Sequence, residues 1–150
     1  MTAATPGHAL GAAAVVIDRA GRVLLVHHTY GPLNWELPGG GAEPGESAAA
    51  AVAREVLEET GLRVEIESLA GVYWEPSWGF GAGMHHFVFR CQRMDDAAPR
   101  ADAKEVSECA FWPVDALPRP ISDFTVRRIE DALAGGLATV VSVGERRWLE

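Results

Sequence analysis

Glu46, Arg54, Glu55, Glu58 and Glu59 are the residues whose types and spacing could do chemistry together. Glu55, Glu58 and Glu59 stand three and four residues apart, which on an α-helix makes them neighbours on one surface. At about 100° per residue the three carboxylates span a sector roughly 100° wide. Val52, Ala53, Val56, Leu57 and Thr60 take the adjoining sector, the face such a helix turns to its core. Glu59 sits at the edge of that face and should lose part of its water. Like charges at these spacings cost roughly 0.2–0.5 kcal/mol per pair, and more when partly buried. Between Gly40 and Leu62 the one cation is Arg54. Hard carboxylate oxygens so short of counter-ions are what a divalent cation such as Mg²⁺ or Mn²⁺ satisfies.

The flanking residues supply the element that carries them. Ser47 can cap the helix, Gly61 can end it in a left-handed turn, and the alanines between are strong helix formers. Ahead of it, Pro38-Gly39-Gly40-Gly41 and Pro44-Gly45 make a loop whose backbone can approach a ligand closely. Gly40 to Ser47 has the glycine spacing of a phosphate-binding P-loop. Glu46, however, stands where the lysine belongs and reverses the charge offered to a phosphate. A di-iron centre would need Glu-x-x-His pairs, which this helix lacks.

Gly40, five residues, Glu46, seven residues, Arg54-Glu55-Val56, one residue, Glu58-Glu59, one residue and Gly61-Leu62 resembles the Nudix box without a departure. The match covers 23 of 150 residues and holds nine positions at fixed spacing, which makes it a specific signal. Trp35-Glu36-Leu37-Pro38-Gly39 resembles the segment that commonly precedes the box.

The resemblance implies a metal-dependent pyrophosphohydrolase that cleaves the diphosphate linkage of a nucleotide or nucleoside diphosphate derivative. Oxidised nucleotides, sugar nucleotides, ADP-ribose and dinucleoside polyphosphates are all open substrates. It implies Glu58 and Glu59 as principal ligands of Mg²⁺, with Mn²⁺ a substitute. Glu55 is a further ligand or water acceptor, and the carbonyl of Gly40 a backbone ligand. Arg54 would orient the carboxylates, while Gly39, Glu46 and Gly61 shape the loop and the helix end. For the general base, Glu105 resembles a recurrent acidic position near the site, and a solvated loop charge is the even alternative. Glu36 is a weaker candidate. The competing function is a Nudix-fold sensor that binds a nucleotide without cleaving it. Such a module usually has a degraded box or an added DNA-binding domain. Isopentenyl diphosphate isomerisation is a third option, for which the characteristic cysteine is missing.

Tyr73, Trp74, Trp78 and Phe80 border a stretch rich in Gly and Pro. Aromatic faces stack on bases, so these four and Trp35 are the candidate substrate contacts; packing in the core and along the sheet edge is the competing role. His27-His28 and His85-His86 are neighbours on strands and point to opposite faces, so neither pair chelates one metal easily.

A chain of 150 residues suits one domain with a real core, expected over 9–150 behind a loose tail at 1–8. A net charge of −8 with no basic cluster argues against a nucleic acid polymer as partner. No apolar run is long enough to span a membrane, and the start of the chain lacks a signal-peptide pattern. Cys91 and Cys109 lack metal spacing and read as reduced core thiols of a cytoplasmic protein. The expected partner is a small nucleotide derivative, and a homodimer stays open.

Along the chain, Leu10–Ile17 and Val23–His28 read as a hairpin. Short strands follow at Val64–Ile66, Leu69–Trp74, His85–Cys91, Cys109–Pro113 and Thr139–Val143. A second helix starts at Ser122 or Asp123 and ends at Gly135-Gly136, with Phe124, Ile129 and Leu133 near its buried side. This order suggests an α/β/α sandwich with a mixed β-sheet between helices. The Nudix resemblance implies the same fold.

Overall fold

A computed structural model of the chain describes residues 9–78 and 82–150. Side-chain alternation sets its layers. β1 (Ala9–Val16) turns Ala12, Ala14 and Val16 to one face and Ala13 and Val15 to the other, and both faces are buried. β2 (Arg22–His28) does the same with Leu24 against Val23 and Leu25. Strands apolar on both faces need a cover on each side. α1 (Ala48–Thr60) covers the first through Ala51, Val52 and Val56. α2 (Asp123–Ala134) covers the second through Phe124, Ile129 and Ala132. The α/β/α sandwich is there, but its middle layer is two mixed sheets of five strands each rather than one.

The first sheet runs β4 (Gly39–Gly41), β1, β6 (Met84–Arg93), β5 (Val64–Glu75), β9 (Thr139–Ser142). The second runs β10 (Trp148–Leu149), β8 (Ile121–Ser122), β3 (Trp35–Glu36), β2, β7 (Val106–Pro113). β1 and β2 therefore lie in different sheets, and among the described residues an isolated bridge at Ile17–Val23 is their one ladder pairing, which corrects the hairpin. Asp18 shapes their connection by accepting from Ala20 N at 3.0 Å and Arg22 N at 2.9 Å. β5 is one strand carrying two irregularities, not two strands. Part of the glycine loop is a strand, β4, paired antiparallel with β1 from Gly11–Gly41 to Ala13–Gly39. Leu57 and Leu133 are exposed, while Glu59 on α1 and Arg128 on α2 are buried. Among the described residues no helix is long and apolar enough to cross a membrane. Both cysteines are free; Cys91 is buried and Cys109 half-buried.

Candidate active site

Local caps and a glycine edge place the carboxylates. Ser47 Oγ accepts from Ala50 N at 3.0 Å to start α1. Gly61, at φ 72°, ends it by donating to Leu57 O at 2.9 Å. β4 then lies against the helix. A Cβ on Gly39 would stand 2.2 Å from Ala12 O, and one on Gly40 would stand 2.6 Å from Glu55 Cδ. Only glycine lets the chain run between β1 and the Glu55 carboxyl group.

Arg54 ties this assembly together. Its Nε donates to Glu46 Oε2 at 2.8 Å and its Nη2 to Glu46 Oε1 at 2.9 Å, a two-pronged pair. Nη2 also donates to Gly41 O at 3.1 Å, and Nη1 reaches Glu55 Oε1 at 2.9 Å and Glu58 Oε2 at 3.3 Å. Glu46 in turn accepts from Glu43 N at 3.0 Å, which closes the loop onto the helix. The Arg54 hydrogen bonds draw the Glu46 carboxyl down to about 2.

Glu59 and Glu55 are treated differently. Glu59 is 4% exposed, and its backbone contact is a long one from Gly39 N, at 3.4 Å. Burial, then repulsion from Glu55, pushes its carboxyl up to about 9. Burial raises Glu55 as well, against the pull of Arg54. The charge of Glu55, one helical turn before Glu59, is the second cause of the Glu59 rise. Neighbouring carboxyl groups with this little water do not both ionise readily: one keeps its proton, or a cation stands between them. The donor set therefore fits a hard divalent cation, with the Gly40 backbone beside Glu55 and Glu58 on the rim, its side chain 57% exposed. Among the described residues, no three His, Cys, Asp or Glu side chains converge on one point.

Beside this pair opens a cleft of about 570 Å³, lined by Gly39–Gly41 and Glu55, then by His28, Tyr30, Glu36 and Glu105. Thr29 fixes the segment carrying Glu105: its N donates to Glu105 O at 3.0 Å and its Oγ1 to Lys104 O at 2.7 Å. His28 stacks on Tyr30 with ring centroids 4.5 Å apart. Burial lowers the His28 imidazole, against the pull of Glu36 and Glu105. Glu36 is bound to Arg128, Nη2 to Oε1 at 2.6 Å, and to Thr125 Oγ1 at 2.8 Å. Burial pushes Glu36 up, but Arg128 and Arg146 outweigh it and hold the carboxyl below its usual range.

The Nudix domain model matches residues 7–131. The chain belongs to the Nudix family. A MutT-like protein of Streptomyces ambofaciens is 35% identical over 130 residues, 87% of this chain and 80% of the relative. A protein of Bacillus subtilis named as a putative 8-oxo-dGTP diphosphatase is 38% identical over 119 residues, 76% of this chain and 78% of that one. The crystal structure of a MutT Nudix hydrolase from Burkholderia pseudomallei superimposes with a TM-score of 0.73 at 27% identity, covering 84% of this chain and 98% of the other. The protein is thus a Nudix hydrolase, an enzyme class acting on acid anhydrides of phosphorus.

In this Nudix domain the aromatic wall is narrower than the sequence suggests. Trp78 lines the cleft. Tyr73 is fully buried and donates to Asp131 Oδ2 at 2.6 Å, so it is a core residue. Trp35 is buried between His27 and Trp112, at 4.9 and 5.2 Å. Trp74 alternates to the other side of β5 and packs on His85 at 4.6 Å, outside the cleft lining. Phe80 lies outside the described residues. Sequence reasoning missed Arg128, Arg146 and Trp148, which all line the cleft. Arg128 and Arg146 look like ordinary charges of a solvated helix and tail. Their partners, Glu36 and Glu75, lie 92 and 71 residues away.

Proposed function

We propose that this Nudix hydrolase cleaves the diphosphate linkage of a nucleotide or nucleoside diphosphate derivative by water attack on phosphorus. Mg²⁺, or Mn²⁺ in its place, would be held by Glu55, Glu58, Glu59 and the carbonyl of Gly40. When bound, a divalent cation neutralises phosphate oxygens and brings water nearer to hydroxide at neutral pH. Arg54 holds Glu55 and Glu58 in reach of one another while Glu46 anchors Arg54 to the loop. Glu105, on its tied segment of the cleft wall, accepts the proton of the attacking water. The new bond joins that oxygen to phosphorus, the bridging P–O bond breaks, and the leaving phosphate carries away the electron pair. Glu36 is the weaker candidate for this role, because its Oε1 already accepts from Leu37 N, Thr125 Oγ1 and Arg128 Nη2.

The observation that carries the reading is the carboxylate cluster of α1, with Glu59 buried and Glu55 lining a cleft of about 570 Å³ beside the glycine strand. A cytoplasmic setting accords with the two free thiols. The test is chromatographic detection of the nucleotide products formed from 8-oxo-dGTP, ADP-ribose, a UDP-sugar and a dinucleoside polyphosphate, with Mg²⁺, Mn²⁺ or EDTA. The Bacillus subtilis relative puts 8-oxo-dGTP first. Cleavage abolished by EDTA is expected. Tight binding of one compound with cleavage of none would place the chain among nucleotide sensors instead.

A further inference from the structure

One wall of the cleft is built by chain beyond the 7–131 segment that matches the family model. After β9 the backbone returns, Val143 N donating to Trp74 O at 2.7 Å. β10 then pairs antiparallel with β8, with Trp148 opposite Ser122. This path brings Arg146 and Trp148 beside Trp78, on the segment that follows β5. All three line the main cleft, and all three also line an adjoining hollow of about 740 Å³.

Their chemistry is unlike that of the carboxylate wall. Trp78 is 43% exposed and Trp148 38%, so two large indole surfaces from separate segments face one space. Leaving such area in water is unfavourable, and a flat aromatic ring is what an indole face takes up best. Arg146 does not move freely between them. Its Nε donates to Glu75 Oε2 at 2.5 Å and its Nη2 to Glu75 Oε1 at 2.9 Å, and its guanidinium lies 4.9 Å from the centre of the Phe124 ring. Its Nη1 makes no hydrogen bond among the described residues and stands 3.8 Å from Glu36 Oε2. A fixed guanidinium with a spare N–H edge beside two indoles offers stacking and donation at once.

We infer that Trp78 and Trp148 are the two aromatic jaws that hold the substrate's nucleobase, and that Arg146 Nη1 donates to acceptor atoms on the edge of that base. The inference rests on the nucleotide reading above and adds where the base goes. The β10 segment is then part of the binding site, and a base with a carbonyl acceptor on its edge, such as the O6 of guanine or of 8-oxoguanine, suits the arginine.

The test is calorimetric binding of GMP and of ribose 5-phosphate, which lacks the base, to the full chain and to Trp78→Leu, Trp148→Leu and Trp148→Phe. Both leucine variants should weaken GMP binding about ten-fold or more, within the range that stacking supplies. Binding of ribose 5-phosphate should not change, and Trp148→Phe should keep most of the GMP affinity because the aromatic face survives. Unchanged GMP binding in both leucine variants would overturn the inference. So would an equal loss for ribose 5-phosphate, which would mark a collapse of the wall. Because binding is read without turnover, a chain that cleaves no nucleotide would defeat the hydrolytic reading and leave this result standing or falling by itself.

Discussion

Two acidic clusters border the same cleft, and burial acts on both in the same direction. On α1, Glu59 is pushed up to about 9 by burial and by Glu55. On β5, Glu75 is just as buried, yet its carboxyl is drawn down to about 2. Burial raises Glu75 too, but His86 at 3.1 Å and the two-pronged Arg146 outweigh it. Glu36 joins the same network through Arg128, whose guanidinium lies 4.0 Å over the Phe124 ring. Counter-charge, not depth, decides the sign. On the α2 side each carboxylate meets a guanidinium, whereas on the α1 side Arg54 pairs with Glu46, Glu55 and Glu58 and, among the described residues, no ion pair reaches Glu59.

Removing a partner from the completed side should have the largest effect. Arg128→Ala strands Glu36 without its buried partner, and breaking a buried pair in this way costs about 3–5 kcal/mol. Urea unfolding would show it, and a loss under about 1 kcal/mol would break the contrast between the clusters. On the incomplete side the loss should be functional. Glu59→Gln keeps shape and avoids the cost of a buried carboxyl raised to about 9, so without metal its thermal midpoint near pH 7 should lie at or above that of the parent. Its metal-dependent turnover should fall at least about 100-fold, the upper range for losing a partner of a metal site. Near-parental turnover at limiting Mg²⁺ would remove Glu59 from the ligand set.

The pH dependence of stability sharpens the contrast with a smaller effect. The folded-state carboxyl of Glu75 lies well below its ordinary value of 4.5. Its contribution is therefore complete above about pH 4.5 and is lost as pH falls through about 2. Unfolding measured across that window should show the parent losing on the order of 2 kcal/mol that Glu75→Gln does not lose. Parallel curves for the two proteins would contradict the pairing.

What was legible in the sequence was local. The nine box positions, Ser47 and Gly61 define α1 within a residue, because caps and spacing act over one or two helical turns. The start and end of α2 were legible for the same reason. Sheet membership was not: β1 and β2 look like a hairpin because the turn at Asp18 is real, but their ladders are made with β6 and β7, far along the chain. Strands of two or three residues, such as β3, β8 and β10, are too short to show a period. Leu133 was expected inside on hydropathy, yet Arg128 takes the buried place because Glu36 waits there across 92 residues. Among the aromatics, alternation along β5 separates Tyr73 in the core from Trp74 on the other face, and which face meets the cleft is settled only by the partner strands.

Mn²⁺ titration followed by calorimetry, on the full chain and on Glu59→Gln, bears most directly on the claim that the α1 carboxyl pair is a divalent-metal site. Saturable binding by the parent is expected, weakened at least about ten-fold by the substitution. Equal affinity in the two proteins, or no binding to the parent, would contradict it.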